Sequence, residues 1–108
     1  MITTENNGQV KNIIQLNQKT KARREQGLFV AEGRKMFGEA PRDWISKVYV
    51  SEALSGDAEL MAQVEKLPYE IVTDSVFRQM SDTKTPQGIM PVLKKPSSIM
   101  EDLLGGEN

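Results

Sequence analysis

Lys21-Ala-Arg-Arg-Glu-Gln-Gly-Leu-Phe-Val-Ala-Glu-Gly-Arg-Lys35 is the stretch that decides the fold of this chain. Thr20 to Gln26 is helix-prone and basic, and Gly27 is placed to stop that helix. Leu28-Phe-Val-Ala31 is a short apolar run between glycines, which fits a buried strand. Glu32-Gly33 then turns the chain into a second helix, Gly33 to Ala40, ended before Pro41 with Met36, Phe37 and Ala40 facing inward. Helix, strand and helix in so short a span set the expectation of an α/β protein.

Working outward, Asn6 is placed to cap an N-terminal helix whose Val10, Ile13 and Ile14 share one face, extended by Leu16. Downstream, Ile45 to Val50 reads as a strand and Asp57 to Leu67 as an amphipathic helix carrying Leu60, Met61, Val64 and Leu67. Tyr69 to Val72 is a third strand, followed by a helix with Val76, Phe77 and Met80 that Thr73 or Asp74 caps. Ser81 to Gln87 is a polar loop before a fourth strand, Gly88 to Leu93. Pro91 lacks a backbone donor, which predicts an edge or bulged strand there. The alternation predicts a three-layer α/β/α sandwich with a four-stranded, mainly parallel sheet. The domain is expected over residues 1–93, with 94–108 as a linker that has one helical turn at Ile99 to Leu104.

Composition narrows the chemistry. The 108 residues contain no histidine and no cysteine, so the commonest general base and thiolate metal sites are excluded. No apolar run approaches the length of a membrane helix, and Met1 to Asn6 lacks signal-peptide character, so a cytoplasmic protein is expected. Gly33 and Gly38 imitate the start of a P-loop, but Glu39-Ala40 stand where Lys and Ser or Thr are required. The net charge of −1 hides an asymmetry: residues 1–35 carry seven Lys/Arg and three acids, the remainder seven and twelve. A basic front on an acidic body suggests a local anionic partner.

Three features could meet that partner. Lys21, Arg23 and Arg24 crowd one helix; Lys21 and Glu25 can pair at i, i+4, leaving the two arginines unpaired and suited to phosphate. The plain alternative is a solvated basic face. Gly33-Arg34-Lys35 puts two cations in a first helical turn, an unfavourable position that a bound anion would reverse. The loop Thr83-Lys84-Thr85-Pro86-Gln87 offers donors for a ribose or phosphate, or is simply a turn. Trp44 and Tyr49 are the aromatics on offer for stacking on a base, against the alternative of core packing.

Lys21-Ala-Arg-Arg24, Gly27-Leu-Phe-Val-Ala-Glu-Gly33, Val48-Tyr-Val-Ser51 and Met80-Ser-Asp-Thr-Lys-Thr-Pro-Gln-Gly88-Ile, in that order, form a pattern. It resembles the N-terminal substrate-binding domain of SpoU (TrmH-like) RNA ribose methyltransferases. The resemblance implies a fold similar to kink-RNA-binding ribosomal proteins and a parent enzyme that methylates a ribose 2′-hydroxyl of ribosomal or transfer RNA. It implies S-adenosylmethionine as the parent's cofactor, none in this chain, and a C-terminal knotted catalytic domain as a partner. The chain stops at Gly105-Gly-Glu-Asn108 without that domain's motifs. The expectation is therefore a monomeric, catalytically silent RNA-binding domain. A domain that docks on its catalytic half or a ribosomal protein, with little RNA affinity, is the second reading.

Overall fold

The computed structural model describes residues 1–81 and 83–94. Five helices and four strands alternate: α1 (Gly8–Gln18), α2 (Thr20–Gln26), β1 (Leu28–Val30), α3 (Arg34–Glu39), β2 (Ile45–Ser51), α4 (Ala58–Val64), β3 (Tyr69–Val72), α5 (Asp74–Met80) and β4 (Ile89–Lys94). Local chemistry explains the boundaries. The side chains of Asn7, Asp57 and Thr73 accept from Gln9, Leu60 and Val76 amides and cap α1, α4 and α5. The first cap is Asn7, one residue after the expected Asn6. Gly27 ends α2 in the left-handed conformation at φ +66°.

The sheet order is β1-β4-β2-β3, with β1–β4 and β4–β2 antiparallel and β2–β3 parallel. The expected mainly parallel sheet is thus corrected to a mixed one. β1, β2 and β3 do run the same way, as strand–helix alternation predicts. The difference lies after β3: α5 packs beside α1 on one face of the sheet, and the chain does not return to the opposite end before the next strand. β4 therefore starts beside the end of β2, where Ile89 pairs with Val50, and inserts between β1 and β2. Pro91 is therefore buried in an interior strand, not at an edge. Its carbonyl accepts from Ala31 N just past the end of β1, and its donor-less nitrogen faces that same gap. The register shift on β2, between Ile45 and Lys47, lies opposite Leu93 and Val92, next to the Val48–Pro91 pair.

Alternate residues of the strands feed two cores, one on each face. Tyr49, Val72, Met90 and Val92 pack with Val10, Ile13 and Leu16 of α1 and Val76, Phe77 and Met80 of α5. Val48, Val50, Ile89 and Leu93 pack with Phe37 of α3 and Leu60, Met61 and Val64 of α4. Helices therefore cover both faces of the sheet. Met36 was expected inside, yet it is 44% exposed because α3 turns only Phe37 fully inward. Tyr49 is core, with its hydroxyl donating to Gln9 Oε1 at 2.8 Å, and Trp44 is half-buried against the second core. Neither ring is presented for stacking on a base. The helical turn expected at Ile99 to Leu104 lies outside the described residues.

Candidate nucleic-acid interface

Because β4 runs against the other strands, one end of the sheet gathers the turns after β1, β2 and β3 and the loop leading into β4. Three of the four sequence motifs meet there, through Glu32-Gly33, Ser51 and the Ser81 to Gly88 loop. Glu32 is the joint: Oε1 accepts from Ser81 Oγ at 2.7 Å, and Oε2 accepts from Gln87 N at 2.8 Å. One carboxylate thus grips both ends of the polar loop. Ser81 Oγ in turn accepts from Thr83 N, and Thr83 Oγ1 lies 3.3 Å from it.

Two glycines permit the close approach. Gly33, at φ +107°, donates its N–H to Ile89 O at 2.9 Å, and a Cβ there would collide with the Gln87 side-chain amide. Gly88, at φ +85°, accepts from Ser51 N, and a Cβ would lie 2.9 Å from Ser51 Oγ and 3.1 Å from Leu54. Ser51, buried, also holds Leu54 N through its hydroxyl. The loop is pinned to the turn after β1 and to the end of β2.

The expected site residues divide under this geometry. Thr83, Lys84, Thr85 and Gln87 are exposed on the loop, and Gly33 lies against Gln87. Lys35 is exposed at the start of α3. Arg34 corrects the idea of two unsatisfied cations, because its Nη2 pairs with Asp57 Oδ2 at 2.7 Å. That contact and the Leu60 amide hold the Asp57 carboxyl below the usual carboxylate range, the amide contributing most. α3 is a six-residue helix, and the Gly33 N–H is already taken by Ile89.

On α2, Lys21 pairs with Glu25 at 3.9 Å, as the i, i+4 spacing predicts. Arg23, expected to be unpaired, is engaged: Nη1 donates to Leu16 O at 2.6 Å and Asn17 O at 3.4 Å, and Nη2 to Thr20 Oγ1 at 2.9 Å. It satisfies the open carbonyls at the end of α1, where a cation is favoured. Only Arg24 of the two arginines is free among the described residues. The α1–α2 corner is tied to the loop root, since Asn17 Nδ2 donates to Met80 O at 2.8 Å, next to Ser81.

Two residues escape sequence reasoning. Glu32 reads as one more acid in a turn, and its role emerges only when β4 brings the loop beside it. Arg78, exposed and without an ion pair among the described residues, lines an open groove of about 290 Å³ with Ser51, Ala53, Asp74, Pro86 and Gly88. Its i−4 neighbour Asp74 instead accepts from Ala53 N at 3.0 Å.

Residues 7–91 match the family model for the MRM3-like substrate binding domain. The chain belongs to this family. Among solved structures, an RNA 2′-O ribose methyltransferase superposes with a TM-score of 0.72 at 22% identity, covering 89% of this chain and 38% of that one. An rRNA methyltransferase from Sinorhizobium meliloti does so with a TM-score of 0.64 at 26% identity, covering 88% and 36%. The SpoU methyltransferase AviRb from Streptomyces viridochromogenes, in complex with the cofactor AdoMet, gives 0.65 at 15%, covering 83% and 34%. No curated protein matches the chain in sequence. The chain spans little more than a third of the length of these structures.

Proposed function

We propose that this MRM3-like domain grips ribosomal or transfer RNA for an S-adenosylmethionine-dependent ribose 2′-O-methyltransferase, and that it does so with the clasped end of its sheet. Residues 1–93 are the binding unit, 94–108 lead toward the catalytic domain, and the site is cytoplasmic. The observation that carries this reading is the Glu32 clasp. It holds the loop of exposed Thr83, Lys84, Thr85 and Gln87 against the Glu32-Gly33 turn, two residues before exposed Lys35, so neutral donors and cations are offered from adjoining segments. Arg78 lines the groove beside Pro86 and Gly88, and exposed Arg24 on α2 is a further cation offered to RNA. Phosphate and sugar contacts from such a surface position RNA by shape.

No helix among the described residues is long and apolar enough to cross a membrane. The methyl donor is S-adenosylmethionine, as bound in AviRb. The domain's contribution is substrate binding, with transfer left to the catalytic half.

Fluorescence anisotropy with structured ribosomal RNA fragments at low and moderate salt tests the reading. Binding is expected to weaken steeply with salt, and Arg24→Glu with Lys84→Glu is expected to abolish it. Binding to a separately expressed catalytic half, with no RNA affinity at low salt, would replace this reading with a protein-docking one.

A further inference from the structure

We infer that Glu32 is the positioning residue of the RNA surface, making the β1–α3 turn and the Thr83–Gln87 loop bind as one unit. This rests on the RNA-binding reading and deepens it. A polar loop with five exposed residues in a row, Thr83 to Gln87, carries little packing of its own. Ordering it at the moment of binding would cost affinity, as would immobilising each long side chain. The carboxylate removes that cost beforehand, because its two oxygens hold Ser81 Oγ and Gln87 N, on either side of the presented residues.

The same carboxylate sits in the backbone turn that leads directly into Gly33, Arg34 and Lys35. Moving the loop therefore pulls on the turn that carries Lys35, and the reverse. The two segments are also in close approach: the Gln87 side chain lies against the face of Gly33 where a side chain would be. Two cations in separate segments, Lys35 and Lys84, are mechanically linked through one residue that need not touch RNA. The consequence is thermodynamic coupling, with Lys35 and Lys84 contributing to affinity non-additively through Glu32.

The test uses the 108-residue chain and a structured ribosomal RNA fragment in anisotropy titrations. Glu32→Gln keeps the shape but substitutes an amide that cannot accept at both positions. It is expected to weaken RNA binding about tenfold. Lys35→Ala and Lys84→Ala together are expected to depart at least about twofold from the product of their separate effects, and to become multiplicative in the Glu32→Gln background. Ser81→Ala removes one arm alone and is expected to fall between. Hydrogen exchange provides a readout independent of RNA: the Gln87 amide is protected in the parent chain and exchanges faster in Glu32→Gln, while Val50 and Ile89 amides stay protected.

Unchanged affinity and persistent non-additivity in Glu32→Gln would overturn the inference, as would equal Gln87 exchange in both chains. Absence of RNA binding by the parent chain would instead sink the function proposed above. The exchange result then decides whether Glu32 holds the loop.

Discussion

Gly33 and Gly38 stand at opposite ends of α3, and the same substitution is expected to act on them with opposite sign. Gly33 has φ +107°, ψ 157° and the Gln87 amide in the place of a Cβ, so Gly33→Ala strains the backbone and pushes the loop away. A loss of about 1–3 kcal/mol follows from the conformation. Gly38 has nothing within 4 Å of an added Cβ and lies within the helix, so Gly38→Ala should gain up to about 1 kcal/mol. Thermal unfolding checks both, at about 4–8 °C per kcal/mol for a domain of this size. The sequence marks both as glycines near a helix. Only the position of Gln87, dictated by how β4 enters the sheet, separates them. Asp57 is the other single residue with a clear expectation. Its carboxyl is held below the usual range by the Leu60 amide and Arg34. The stability it supplies is therefore present above the ordinary Asp value and lost as pH falls through its lowered one. Urea midpoints at neutral and strongly acid pH should differ less in Asp57→Asn than in the parent chain.

The α1–α2 corner shows how a basic segment divides into structure and surface. Arg23 and Arg24 are neighbours with the same charge, and sequence alone gives them equal standing. The turn at Lys19 places the Arg23 guanidinium over the last carbonyls of α1, which have no helical partners, and so it becomes a brace. Arg23→Ala is expected to cost about 1–3 kcal/mol through lost hydrogen bonds from a charged donor. Arg23→Lys should not restore it, because a single ammonium cannot span Leu16 O and Thr20 Oγ1 together. Arg24→Ala should leave the unfolding midpoint unchanged and weaken RNA binding. The reverse pattern, with Arg24 setting stability and Arg23 setting affinity alone, would contradict this assignment. The apolar face of α1 and the Gly27 stop of α2 were legible because they are local patterns. Arg23's role was not, since it depends on the angle between two helices.

For the molecule as a whole, the direction of β1, β2 and β3 could be read from alternation. The pairing could not, because a seven-residue α5 gives no sequence sign of whether the chain returns across the sheet or stays at one end. That choice assembles the site, bringing the loop, Glu32 and the β2 turn into contact. It also decides how charge acts at a distance. A chain of net charge −1 has no general attraction for nucleic acid, so any affinity must come from the local rim. If Arg24, Lys35, Arg78 and Lys84 each neutralise one phosphate, the logarithm of the binding constant should fall with that of salt with a slope of about −3. Asp57→Asn gives the sharpest variation on this. It releases Arg34 from its ion pair and removes one negative charge. The slope should then steepen by about 0.7–0.9, one further phosphate contact, and affinity at low salt should rise although the fold loses a helix-cap charge. Titrations across a salt series measure both quantities in one experiment. A slope that stays constant in Asp57→Asn would place Arg34 outside the contact surface and confine binding to the loop and α2.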